Sequence, residues 1–156
     1  MQFLNYQVLK AQNLLCCEAH LHPEEIIKVI EKLYCQLSQG GSAKAKTTVF
    51  IILSGGKDTA VTLCVSADKK MGSVQEPFFF KEQIYLKQAI KTRHEGDLCG
   101  ILDSVNKLIE YIHSENLMPI TRFCGKVLIG LDNPNNSEEL NNAIIDIYVG
   151  VNTNIL

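Results

Sequence analysis

Residues 54 to 59, SGGKDT, follow the apolar run VFIIL and have the composition of a phosphate-binding loop. Such a loop works by aiming backbone N–H groups and the N-terminus of a following helix at the anion. A helix must therefore come next. The residues that do come next are Ala60, Val61, Thr62, Leu63, Cys64 and Val65. They are β-rich, and they lack the charged face of a surface helix. The segment reads as two strands joined by a Gly- and Asp-containing turn. His20 and His22 flank Leu21 and would share one strand face, a geometry that could hold a metal. Pro23 follows at once, and only Glu18 offers itself as a third ligand, so both histidines read as surface residues at a helix start. The chain has no GxSxG, no HExxH and no convincing Cys/His pair. A non-enzymatic protein without cofactor or metal is expected.

The stretch SGGKDT also resembles the SGGxDS loop of the ATP-pyrophosphatase enzymes. Thr59 stands where that family has serine, and only one further helix follows, far downstream. The turn reading is kept.

The elements that must position any site follow from periodicity. YQVLKAQNLLCCEAHL reads as a strand interrupted near Gln12–Asn13. HPEEIIKVIEKLYCQLSQGG is an amphipathic helix. Its stripe is Ile26, Ile30, Leu33 and Leu37, widened by Ile27 and Tyr34, and Gly40–Gly41 ends it. TTVFIIL and TAVTLCVSA are the two hairpin strands. KKMGSVQEPFFF is irregular and reads as a linker over about residues 69–81. The order then repeats. EQIYLKQAIKTRH is a strand, with His94–Glu95 in the turn after it. EGDLCGILDSVNKLIEYIHSEN is a helix with stripe Leu98, Ile101, Leu102, Val105, Leu108, Ile109 and Ile112. TRFCGKVLIGL is a strand, DNPNNSEELNN a polar loop, and AIIDIYVGV the last strand. In that strand Ile145, Ile147 and Val149 alternate with Asp146, Tyr148 and Gly150, giving one apolar and one mixed face. The chain therefore reads as a single α+β domain over 1–156. It comprises duplicated β-α-β-β units at about 6–68 and 82–152, with an antiparallel sheet and two helices on one face.

Composition narrows the function classes. A formal net charge of −2 gives no basic field for nucleic acid. No apolar run approaches a membrane span, and the N-terminal residues do not read as a secretory signal. The six cysteines form no CxxC, and most sit in apolar runs, so a reduced, cytoplasmic protein is expected. Cys16 and Cys17 are adjacent and should point to opposite faces of their strand.

The second half, residues 84 to 151, resembles the GyrI-like effector-binding domain, which occurs fused to AraC-type and MerR-type regulators and alone. The likeness lies in the ordered set TRHEG, LIEYIHSENLMPI, LDNPNNSEEL and IIDIYVGV. The first half shares only the β-α-β-β order. The resemblance implies a pseudo-twofold pair of units. It also implies an aromatic-lined pocket between the two helices and the sheet, where an acid on the last strand faces cationic, apolar ligands. The matching acid is Asp146, with Tyr148 two residues on. Tyr111 and Phe123 are the other candidate lining residues, each of which could equally be core. Asp146 is shorter than the family's glutamate, and Gly150 replaces its proline. A small, hydrophobic or cationic ligand and a standalone binding role are implied. One alternative is a protein-interaction module with a closed pocket, in which the outer surface, or Phe78–Phe80, meets a partner. The other is a small-molecule hydrolase of the GyrI-like type.

Overall fold

The computed structural model describes residues 1–41, 47–131 and 140–153. Most of the polar loop expected after Leu131 lies outside them. The chain begins with a long strand β1 (Phe3–His20), then helix α1 (Pro23–Gln39) and strands β2 (Val49–Leu53) and β3 (Ala60–Ser66). The second run is β4 (Phe79–Gly96), a 3-10 turn (Leu98–Gly100), helix α2 (Ile101–Ser114), β5 (Leu117–Pro119), β6 (Phe123–Ile129) and β7 (Ala143–Thr153). The predicted α+β order holds, with β5 added where a helix end alone was expected.

The strands form one antiparallel, seven-stranded sheet in the order β4-β1-β3-β2-β6-β7-β5, and β4 also pairs with β7. Six strands are thus hydrogen-bonded in a closed ring. Exchanging β1 with β4, β2 with β6 and β3 with β7 maps this pairing onto itself, the pseudo-twofold that the duplicated order implies. β4 closes the ring because it is long: Phe79–Thr92 run against β1, and Ala89–Gly96 against β7. β1 bends at Asn13, which has a φ of 57°, where its pairing with β3 ends. This is the expected interruption, realised as a bend within one strand.

Both helices pack on one sheet face. Pro23, Glu24 and Glu25 open α1, where proline's fixed φ and acidic charge suit the exposed N–H groups. Ile26, Ile30, Leu33 and Leu37 are fully buried. In α2 the same holds for Ile101, Val105, Leu108 and Ile112. They meet Leu15, Ile51, Leu63, Ile145 and Ile147 in the main core. Each such side chain contributes on the order of 1.5–3 kcal/mol by leaving water. A second cluster lies on the opposite face. It joins Leu9, Ile84 and Leu86 of the β1–β4 ribbon to Phe50, Cys64, Cys124 and Tyr148. Cys16 belongs to this cluster and Cys17 to the main core, as strand alternation predicts.

SGGKDT is a hairpin loop. Leu53 pairs with Val61 across it, and Asp58 Oδ1 accepts the Ala60 N–H at 3.0 Å. Gly55 and Gly56 have φ of 87° and 69°, a region glycine enters at no steric cost. A strand, not a helix, follows the loop, so the element that would direct dipole and N–H groups at a phosphate is missing.

Candidate functional site

The four residues expected to line one pocket do not meet. Asp146 and Tyr148 alternate with Ile145, Ile147 and Val149, whose side chains fill the main core beneath the helices. Asp146 and Tyr148 therefore face the side of the sheet away from the helices, and Tyr148 belongs to the second cluster. Phe123 packs on the helix side, 4% exposed. Its ring lies 3.3 Å from where a Cβ on Gly55 would sit, and so fixes the hairpin loop. Tyr111 stacks on Phe3 with ring centroids 4.3 Å apart and donates its hydroxyl to Asn5 Oδ1 at 3.2 Å. Both are packing residues of the helix-bearing side. The pocket implied between helices and sheet is corrected accordingly: core side chains occupy that space, and Asp146 opens to the opposite face.

There, register builds a charged constellation at the seam that closes the ring. Antiparallel pairing sets Arg93 opposite Asp146 and Lys91 opposite Tyr148. On the other flank Lys126 of β6 is the cross-strand partner of Asp146. Directly opposed residues share a face, so Lys91, Arg93 and Lys126 lie on the face of Asp146, and Arg93 and Lys91 pair with its carboxylate. Asp146 is 5% exposed. Arg93 Nε donates to Oδ1 at 2.8 Å and Nη2 to Oδ2 at 3.3 Å, a forked pair. Lys91 Nζ lies 3.7 Å from Oδ2 and 5.9 Å from the centre of the Tyr148 ring. The hydrogen bond to Asp146, and then its charge, hold the Arg93 guanidinium still more firmly protonated. Burial, reinforced by the Asp146 charge, pushes the Tyr148 phenol above its usual range. An open-mouthed cavity of about 600 Å³ lies over the seam, walled by Lys91, Arg93, Glu95, Asp146 and the first residues of the chain. A smaller cavity of about 130 Å³, between Tyr6, Gln88, Leu117 and Val151, carries no charged wall.

Lys91 and Arg93 escaped the sequence reading. Their spacing of two residues on a strand puts them on one face, and that much is visible in KTR. What they face depends on the β4–β7 register. His94, expected in a turn, is a buried strand residue. Its Nε2 is 2.7 Å from the carbonyl of Asp97 and its Nδ1 2.7 Å from Ser104 Oγ. A carbonyl only accepts, so Nε2 carries the hydrogen of that bond. The Ser104 contact ties the end of β4 to α2. His20 Nδ1 lies 3.4 Å from Glu25 Oε2 at the start of α1. Among the described residues no group of three His, Cys, Asp or Glu side chains could hold a metal.

The departure from the family pattern at Gly150 has a local cause. The Gly150 N–H donates to Thr121 Oγ1 at 2.8 Å, a bond proline could not make. A Cβ there would also lie 2.8 Å from Thr121 Cγ2.

No family model matches the chain, and no curated protein matches it. Solved structures do. The C-terminal domain of EcmrR superposes with a TM-score of 0.66 at 12% identity, covering 98% of this chain and 99% of that one. EcmrR in its DNA complex gives 0.70 at 12% identity over 97% of this chain, which spans 58% of the length of that one. A hydrolase from Listeria innocua gives 0.52 at 12% identity, covering 97% and 91%. Identities this low establish a shared architecture. The fold of this chain is that of the EcmrR C-terminal domain, and it is compatible with the effector-binding fold that the second half resembles.

Proposed function

We propose that the chain is a non-enzymatic, effector-binding-type domain that holds a small molecule in the cavity over Asp146. One observation carries this reading. A carboxylate 5% exposed, with charged partners, sits at the floor of an open cavity of about 600 Å³. A charged group taken out of water on a sheet face is costly unless it is paired, so its placement beneath an accessible cavity suits recognition. In the cavity walls the Thr92 hydroxyl donates to the Gln2 carbonyl at 2.8 Å and Asp146 is held by Arg93, which leaves Glu95, among the described residues, as the unengaged carboxylate a competing hydrolytic role would use. The architecture is shared both with the C-terminal domain of EcmrR and with a protein called a hydrolase, so hydrolysis is the competing activity.

A thermal-shift panel of small organic cations, anions and neutral compounds tests the proposal. Ligand at 100 times its Kd adds about 2.7 kcal/mol to the folded state, a rise of several degrees. The expected result is a dose-dependent rise that weakens in Asp146→Asn and persists in Lys107→Gln on the exposed side of α2. A panel in which no compound shifts the midpoint sinks the reading. It would favour the interaction module, for which the exposed Tyr6, Val8 and Ile120, each at least 61% accessible, are the observation.

A further inference from the structure

The cavity over Asp146 has a ligand preference opposite to the one the acid alone suggests. We infer that Asp146 is a positioning residue, and that Arg93, which it holds with Lys91, recognises a carboxylate-bearing small molecule. This rests on the proposed binding role of the cavity.

Asp146 is already occupied. Both oxygens of Asp146 are engaged, Oδ1 by Arg93 Nε at 2.8 Å and Oδ2 by Arg93 Nη2 at 3.3 Å, with Lys91 Nζ at 3.7 Å from Oδ2. A cationic ligand would have to displace a guanidinium tethered to the same sheet. A tethered group competes at an effective concentration on the order of millimolar or more. An anion faces no such competitor. A guanidinium has five N–H donors, and the forked pair with Asp146 uses its Nε edge. The outer edge, between Nη1 and Nη2, keeps parallel N–H groups in the geometry that matches a carboxylate. The Arg93 side chain is 50% exposed, so that edge is reachable, whereas the Asp146 side chain is 7% exposed.

Charge points the same way. The charged side chains lining the cavity are Lys91 and Arg93 against Asp146 and Glu95. Asp146 is neutralised by its forked partner. Glu95 and Arg93 are both exposed, so water and salt screen them alike. Lys91, its side chain 21% exposed, is then the least screened charge outside the fork, and it lies 5.9 Å from the centre of the Tyr148 ring. Orientation by a buried second group is how a binding arginine is held ready, because its rotamer is fixed before the ligand arrives.

Matched probes test this. Benzoate and benzylammonium share an aromatic body and differ in the sign of charge. Each is titrated into the full chain in buffered salt and followed by ¹⁵N NMR. The readouts are the Arg93 Nε–H signal and the backbone amides of residues 91–95 and 144–148. Benzoate should shift these signals saturably and bind at least about tenfold more tightly than benzylammonium, a difference of about 1.4 kcal/mol. Arg93→Gln should remove the preference, and Lys107→Gln should leave it intact. Asp146→Asn should weaken benzoate and speed solvent exchange of the Arg93 Nε–H, and Asp146→Glu, which keeps a carboxylate for that edge, should restore benzoate binding in part, with the folded amide spectrum elsewhere unchanged in both. Binding of benzylammonium at equal or higher affinity, lost in Asp146→Asn, would overturn the carboxylate preference and leave the binding role standing. If neither probe moves these amides, both the preference and the cavity as a binding site fail.

Discussion

At the residue scale, the chemistry of a side chain depends on what already occupies it. Asp146 reads in sequence as a lone acid on a mixed strand face; in the fold it is the anchor of Arg93 and Lys91. The cysteines show the same dependence. Cys16 and Cys64 are cross-strand partners with sulfurs 2.9 Å apart, and Cys124 is buried on the same side. Burial pushes the Cys124 thiol from 9.0 up to about 12. The hydrogen bond shared with Cys16, which favours a protonated Cys64, and then burial raise Cys64 further. Thiolate is the reactive form, so a thiol reagent at about pH 8 should label the exposed Cys35 in the native protein and leave Cys16, Cys64 and Cys124 untouched. Mass spectrometry of the alkylated chain checks this. A thiol whose folded pKa lies above its unfolded value stabilises the fold fully at lower pH and loses that contribution as pH rises. Melting temperature should therefore fall as pH climbs from 9.0 towards about 12, and fall less steeply in Cys124→Ala.

At the element scale, glycines and one threonine decide how strands and loops fit. Gly55 holds a φ of 87°, and a Cβ on it would lie 3.2 Å from Ile109 Cδ1. Gly55→Ala should cost about 1–3 kcal/mol, read from chemical denaturation. A glycine needed for a tight hairpin against α2 explains the SGG composition without any phosphate. Gly125 lies under β7, where an added Cβ would meet Ile145 Cγ2 at 2.9 Å. Gly125→Ala should destabilise by roughly 1–3 kcal/mol through overpacking. Thr121→Val removes the acceptor for the Gly150 N–H and should cost ~1 kcal/mol. Gly150→Pro loses the donor itself and should cost more in the same assay. The helices and the hairpin were legible because their apolar spacing and turn residues act locally. β5 was not: its strand character comes only from pairing Leu117–Pro119 with Val151–Thr153, and the extended backbone of three residues leaves no periodicity to read.

At the scale of the molecule, the ring of strands hydrogen-bonds the two β-α-β-β units into one sheet, and they should unfold together. The β1–β4 and β2–β6 pairings join the halves, and both helices share one core. Ile30→Ala in α1 and Ile112→Ala in α2 should each cost about 2–5 kcal/mol. Each should lower the same single cooperative transition, seen identically by fluorescence of the tyrosines and by far-ultraviolet circular dichroism. Two transitions, with each variant affecting only one, would show that the halves fold apart.

The amino-acid sequence by itself determined the α+β class, the twofold repeat of the element order, the amphipathic faces and the turn at SGGKDT, because each rests on contacts between near neighbours in the chain. Alternation alone also put Asp146 and Tyr148 on the face opposite Ile145, Ile147 and Val149. Tertiary structure decided which face lies under the helices, and so sent Phe123 and Tyr111 to one side and Asp146 and Tyr148 to the other. It also decided the β4–β7 register that brings Arg93, 53 positions away, onto Asp146. A one-residue slip in that register would turn every one of those side chains to the other face. Registers between distant strands depend on the whole packed sheet, and for that reason the charge that faces the cavity could be seen only in the fold.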